Sequence, residues 1–262
     1  MSMTTTQHHP GHLDLHLRGN WGNQPHPSTP QQWVQRAREV AQPGITFYDD
    51  WDNIGQRLTE SGSVSLAEVR VPWSAAAGFV NKVFQPRTYN TLNVPTIQLV
   101  FVNFYLGIAR GALERAADYT RTRTRTRPWL HGGYGRAVDE PYILDTYGDL
   151  AAKLWAAEAL ADQIAQEALP LHRNPDAVTE RIRSEHEVRV AAVKARATEV
   201  ALEITSRIFE VTGARSTTTA LGLDRYWRNI RTHTLHDPAA YKRREVGVFL
   251  LRDEVPEPTW YS

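Results

Sequence analysis

From residue 141 onward the apolar positions fall into long stripes. Ile143, Tyr147, Leu150, Leu154, Ala157, Ala161, Ile164 and Ala168 are separated by gaps of four and three, the spacing of one buried face of a bundle helix. This predicts a helix over 141–169. Pro141 suits its first turn and Asp139 or Glu140 suits the positive end of its dipole, while Pro170 helps to stop it. A second stripe runs through Ile182, His186, Val190, Val193, Ala197, Val200, Ile204, Ile208 and Val211. It predicts a helix over 175–212, with Asn174 as N-cap and Gly213 as the stop. Further helices are predicted over 96–123, 223–230 and 238–251. Three long helices and a shorter one make a four-helix up-down bundle.

The pattern before Pro72 is different. Residues 44–48 and 63–69 alternate as half-buried strands do, and 49–53 and 61–62 read as turns. Two or three short strands are too few to stand alone. The expected fold is therefore mainly α: a C-terminal four-helix up-down bundle preceded by a few strands of an incomplete β-domain. The expected division is a disordered tail over 1–30, a β-domain remnant over 31–73, and a helical bundle domain over 74–262. Five of the ten histidines lie in the first 30 residues. Only His12 and His16 have helical ligand spacing there, so a tail is favoured over a metal site and no metal is expected.

Composition narrows the chemistry. Hydrophobic residues make up 41% and charged residues 23% of 262, as in ordinary globular proteins. There is no cysteine, which excludes disulfides, zinc thiolates and cysteine nucleophiles. A formal charge of +1 gives no general basis for nucleic-acid binding. The apolar run over 94–108 is interrupted by Gln98 and Asn103 and is too short for a bilayer. No signal-peptide pattern opens the chain, so a cytoplasmic protein without membrane contact is expected.

Three segments carry candidate chemistry. Arg121, Arg123, Arg125 and Arg127 alternate with threonine before Pro128 and Trp129. They serve either as cations at a helix C-terminus or as an anion clamp, with guanidinium forks for a phosphate and an indole face for a ring. Single-stranded nucleic acid uses the same features, but one such segment in a near-neutral chain is weak support. Residues 209–216, reading FEVTGARS, end a helix at Gly213 and follow it with small residues that let a ligand approach the backbone. Residues 224–238 hold three arginines, His233, His236 and Asp237. Histidine works as acid or base near neutral pH.

Together these segments resemble the flavin-dependent monooxygenase branch of the acyl-CoA dehydrogenase superfamily. The matching pieces are 51–63 (WDNIGQRLTESGS), 69–72 (VRVP), 107–114 (GIARGALE), 127–129 (RPW), 209–215 (FEVTGAR) and 227–238 (WRNIRTHTLHDP). The resemblance implies a helical domain, a β-domain and a C-terminal bundle, assembled as a homotetramer with flavin between subunits. It gives cofactor contacts to Arg127 and Trp129, with Arg123 as an alternative in the lengthened Arg-Thr run, and to Glu210, Gly213, Ala214 and Arg215. It makes His236 the active-site histidine, with His233 beside it. Asp237 falls about where dehydrogenases place a catalytic glutamate, and its shorter arm argues against acyl-CoA dehydrogenation.

The branch implies FMN (with FAD the alternative), O2, a small aromatic or sulfur-containing substrate, and a separate flavin reductase. The family's first helical domain and most of its β-domain have no counterpart here, as a misplaced start, a frameshift or a split gene would produce. Two other readings stay open: a non-catalytic oligomerisation or partner subunit, and an acyl-CoA dehydrogenase-like oxidoreductase.

Overall fold

The long amphipathic stripes form three helices that share one core: α1 (Asn93–Thr122), α2 (Pro141–Arg173) and α3 (Glu180–Thr212). A short helix, α4 (Asp224–His233), and a last one, α5 (Ala239–Arg252), follow. The computed structural model describes residues 43–59, 61–69, 79–84, 88–126 and 134–257. The expected tail over 1–30, and the candidates Arg127 and Trp129, lie outside the described residues. The chain divides into two units, Met1–Asp52 with Arg57–Pro86, and Asn53–Gln56 with Arg87–Ser262.

In the first unit β1 (Ile45–Phe47) pairs antiparallel with β2 (Val64–Leu66), placing Ile45 opposite Leu66. Gly44 has φ +91°, and a Cβ there would lie 2.1 Å from the Ala67 carbonyl oxygen, so only glycine fits. A second antiparallel pair, β3 (Phe79–Val80) and β4 (Val83–Phe84), turns through Asn81 and Lys82. Both turn residues have positive φ, as a two-residue hairpin turn demands. Strands of two residues leave too little alternation to be read from sequence.

The second unit is an antiparallel bundle. Thr120 Oγ1 meets Tyr147 Oη at 2.8 Å and Thr96 Oγ1 meets His172 Nε2 at 3.1 Å, so α1 and α2 run in opposite directions. Arg207 on α3 reaches Asp149 on α2, and Arg189 reaches Glu167. Arg181 at the start of α3 reaches Asp253 at the end of α5. The up-down order expected from three long helices and a shorter one is the order observed.

Its core joins Val102, Leu106, Ala109, Ala112 and Ala116 of α1, Leu150, Leu154, Ala157, Ala161 and Ile164 of α2, and Val190, Val193, Ala197, Val200, Ile204 and Ile208 of α3. α1 is long and apolar enough to cross a membrane by length and composition, contrary to the run over 94–108 taken alone. Within the bundle it packs as a core helix along α3.

Two helix ends depart from the signals expected to set them, and a third agrees. Pro170 lies inside α2, which continues to Arg173. A proline in a last turn forfeits only one amide bond, and its own carbonyl still accepts from Asn174 N–H at 3.1 Å. Asn174 does not cap α3. A 3-10 turn over Pro175–Ala177 comes first, and Thr179 Oγ1 accepts from Ile182 N–H at 3.2 Å. Gly213 ends α3 as expected, at φ +78°.

The stripe on α3 includes a histidine, and His186 is buried. Burial pulls its pKa down from the ordinary 6.5 to about 4, so it is neutral in the native state. A depressed folded pKa confers stability above the unfolded value, lost as pH falls through the folded one. Urea unfolding of the wild-type chain should therefore weaken between about pH 6.5 and about pH 4, by about 3 kcal/mol for this group. His186→Leu should flatten that part of the profile, and an unchanged slope would contradict the assignment.

Candidate functional site

The ends of three helices enclose a pocket of about 300 Å³. The last turn of α1 supplies Tyr119, Arg123, Thr124 and Arg125. The start of α2 supplies Glu140, Tyr142 and Ile143, and the end of α3 supplies residues 210–215. The fold thus gathers five of the expected cofactor residues, Arg123, Glu210, Gly213, Ala214 and Arg215, in one lining. Arg125 joins them.

Local chemistry explains the shape. Arg123 N–H and Thr124 N–H both bond the Tyr119 carbonyl, at 2.7 and 3.2 Å, and so close α1. Tyr142 Oη donates to the Glu210 carbonyl at 3.1 Å, tying α2 to α3. Arg207 holds the Glu210 carboxylate through a 3.2 Å bond, which turns part of its charge away from any ligand. Past Gly213, Ser216 N–H bonds the glycine carbonyl at 3.0 Å, and Thr212 Oγ1 reaches Ser216 Oγ at 2.7 Å.

The donor set suits a phosphate-bearing group. Arg123, Arg125 and Arg215 all line the pocket, and planar guanidinium forks match phosphate oxygens. A Cβ built on Gly213 would meet nothing within 4 Å, so the backbone there is open to a close approach. Thr124 Oγ1 is buried without a hydrogen-bond partner, which leaves it a donor for a ligand oxygen.

The candidates His233, His236 and Asp237 gather elsewhere, where α4 turns into α5. His233 Nδ1 lies 2.8 Å from Tyr105 Oη on α1. Phe101 meets His233 edge-on with centroids 4.5 Å apart, and Phe104 does so at 5.2 Å. The rings of His233 and His236 are stacked 6.2 Å apart. His236 is exposed and His233 half-buried. Burial, the second imidazole and the Lys194 ammonium push His233 below its ordinary range. Tyr105 is pushed up, by burial and by the Asp237 carboxylate, and stays a phenol.

Asp237 is only partly exposed and is engaged by cations. Its Oδ2 is bound by Lys194 Nζ, and Lys242 Nζ lies 3.8 Å away.

The turn is held from behind by residues 53–56. Gln56 N–H donates to Asn229 Oδ1 at 2.9 Å, and Arg228 Nη1 donates to the Ile54 carbonyl at 3.0 Å. A Cβ on Gly55 would lie 2.1 Å from the Arg228 carbonyl oxygen, so this approach requires glycine. Within the motif over 51–63, residues 53–56 therefore brace α4.

Sequence reasoning missed Tyr105, Phe101, Phe104 and Lys194. The signal for Lys194 was present: Glu187 and Lys194 are seven apart on α3, two turns along one face. Among the described residues no group of three or more histidine, cysteine or acidic side chains is placed to hold a metal.

The comparisons with known proteins agree in direction. The family model for the acyl-CoA dehydrogenase C-terminal domain matches residues 99–240. A dibenzothiophene monooxygenase of Mycolicibacterium goodii is 44% identical over 238 residues, 89% of this chain and 57% of the relative. A probable FMNH2-dependent monooxygenase, SfnC of Pseudomonas putida, is 37% identical over 84% of this chain and 54% of its own. The structure of TdsC from Paenibacillus sp. A11-2 with FMN and indole superposes with a TM-score of 0.78 at 42% identity, covering 84% of this chain and 55% of TdsC. The chain thus spans a little over half the length of these proteins.

Proposed function

We propose, from the premise that the chain belongs to the acyl-CoA dehydrogenase family by its C-terminal domain, that it serves a reduced-flavin-dependent monooxygenase. Its cofactor is FMN, its co-substrate O2, and its substrate a small aromatic or sulfur-containing molecule. The observation that carries this reading is the pocket with three arginines and an open glycine backbone at the end of the bundle. The FMN and indole of TdsC, and the FMNH2 dependence in the name of SfnC, support FMN over FAD and an aromatic substrate.

Reduced flavin, when bound, supplies the electrons that activate dioxygen. The residues of this chain bind, orient and move protons around it. Arg123, Arg125 and Arg215 hold the phosphate, with Thr124 Oγ1 donating to it. Gly213 and Ala214 let the backbone approach, and Glu210 orients the polar chain of the cofactor. Arg127 and Trp129 join this grip on the strength of the sequence motif. His236 moves a proton at its ring nitrogen, and His233, anchored to Tyr105, keeps the neighbouring ring in place. Phe101 and Phe104 offer aromatic edges that exclude water and suit a flat substrate.

The two parts of the site belong to different flavins. Fourteen residues of α1 separate Tyr105 from Tyr119, which is about 21 Å of helix. That exceeds the reach from a flavin's reactive ring to its phosphate. In this reading one chain would grip the phosphate of a flavin whose ring meets the histidine of another subunit, in the homo-oligomer, tetrameric, that the resemblance implies. A separate reductase in the cytoplasm supplies FMNH2.

Arg215→Ala tests the reading. Its FMN dissociation constant, measured by fluorescence quenching, should rise about tenfold, the loss of one charge-assisted contact. Riboflavin, which lacks the phosphate, should bind the variant and the wild type alike. An equal loss for both ligands, or no FMN binding by the wild-type oligomer, would remove the pocket from the proposal.

A further inference from the structure

A chain of charges runs through the bundle behind the histidine turn. Arg183 and Glu187 of α3 are fully buried, with Arg183 Nη2 4.0 Å from Glu187 Oε2. Lys242 of α5, 1% exposed, reaches Glu187 Oε1 and Glu245 Oε1, each at 3.1 Å. Asp237 follows, and then Lys194, also 1% exposed. Three cations thus face three carboxylates. The chain ends at the ring of Phe101, whose centroid lies 5.8 Å from Lys194 Nζ and whose edge meets both His233 and His236.

We propose that Lys194 is a positioning residue for the histidine turn: its buried ammonium, clamped by Asp237 and set over the Phe101 ring that packs on His233, governs how readily His233, the ring beside His236, takes up a proton. This rests on the reading of His236 as the proton-handling group. The groups facing the pair are Tyr105, Phe101 and Phe104 from α1, Lys194 from α3, Asp237 within the turn, and Lys242 from α5 with Glu187 and Glu245 behind it. Lys194 is the cation that also contacts the ring wedged against both imidazoles. The second imidazole, stacked 6.2 Å away, opposes a charge on His233. An ammonium in a poorly solvated place opposes that proton more strongly than it would in water. Asp237 moderates the opposition by neutralising the ammonium. Its carboxylate is therefore a counterion, which accounts for an aspartate where a longer acid would reach a substrate.

The test is the titration of the imidazole resonances in 1H–15N NMR, read in the flavin-free chain and assigned with His233→Gln and His236→Gln. Lys194→Met removes the cation over Phe101 and leaves Asp237 only the more distant Lys242 as counterion, and the apparent pKa of His233 should rise by about one unit. Asp237→Asn leaves Lys194 unbalanced, and the pKa should fall. Lys194→Arg should stay close to the wild type. A purely structural role predicts a different result, since loosening the turn moves both variants upward toward the solution value of histidine. Shifts of the same sign, or no shift in a folded Lys194→Met, overturn the proposal. Should Lys194→Met fail to fold, the sign for Asp237→Asn decides alone. Because no flavin is present, a failed titration is distinct from a failed monooxygenase reading, which absent turnover would show.

Discussion

His236→Ala should retain FMN and lose product, with turnover falling about 100- to 10,000-fold, the usual contribution of a positioned acid or base. The expectation follows from where the ring sits. His236 is exposed at the turn between α4 and α5, and its removal leaves no core cavity. Its backbone N–H bonds the His233 carbonyl at 3.1 Å, a contact that alanine keeps. The arginine pocket lies at the far end of α1, so the phosphate grip should be untouched. The assay is paired: FMN titration by fluorescence, and product formation with externally reduced FMN, both on the purified protein. Unchanged turnover would exclude His236 from the chemistry. Lost FMN binding would recast it as a structural residue.

Lys242→Met should lower the unfolding free energy by about 3–5 kcal/mol in urea, the cost of leaving a buried ion without its partner. Methionine keeps much of the length of the side chain, so the loss reports charge more than volume. In the native state the buried ammonium of Lys242 is bound by Glu187 and Glu245. Burial alone would lower its pKa, but those carboxylates and Asp237 outweigh this and raise it. Without the lysine, Glu187 Oε1 loses its charged donor in a fully buried place.

The double variant Glu187→Gln with Lys242→Met should recover part of the loss, since the Glu187 carboxylate is then no longer buried opposite a missing ammonium. Lys153→Met is the control. Lys153 bonds Asp149 and Glu203 across the α2–α3 seam, but with about a third of each side chain exposed, where ion pairs contribute about 0–1 kcal/mol. Equal losses for Lys242→Met and Lys153→Met would mean that the buried charges do not hold α5 on α3.

The contrast between these two lysines shows what local pattern conveys. Both lie in or beside helices read correctly from sequence, and both look like members of a solvated face. The stripe Ile143 to Ala168 is buried as its spacing predicts, with Tyr147 partly so. On α3 the stripe is buried from His186 to Val211, but Ile182 at its start is exposed, and the stripe is also incomplete. Arg183, Ser184, Glu187, Ala191, Lys194 and Thr198 are buried as well, because α1, α2 and α5 all pack against this helix. A single stripe describes a helix with one neighbour and understates one with three.

The candidate site divides in the same way. Residues 209–215 were legible because Gly213 combines a helix stop with an open backbone, both properties of nearby chain. The Arg-Thr run reaches the same pocket, and the structure places Arg123 and Arg125 in its lining. His233, His236 and Asp237 were legible as a cluster, but their partners were not. Tyr105 lies 128 residues from His233 in the chain and 2.8 Å from it in space.

By itself the sequence determined the helices, the stop at Gly213, the mainly α class and the motifs that hold the candidate chemistry. These follow from backbone geometry and side-chain type over a few turns, where residues three and four apart must share a face. Only the tertiary structure decided which polar face of α3 is buried, which acid faces Lys194, and which tyrosine anchors His233. Those outcomes depend on where α5 returns across α3, and that is set by the summed packing of residues far apart in the chain.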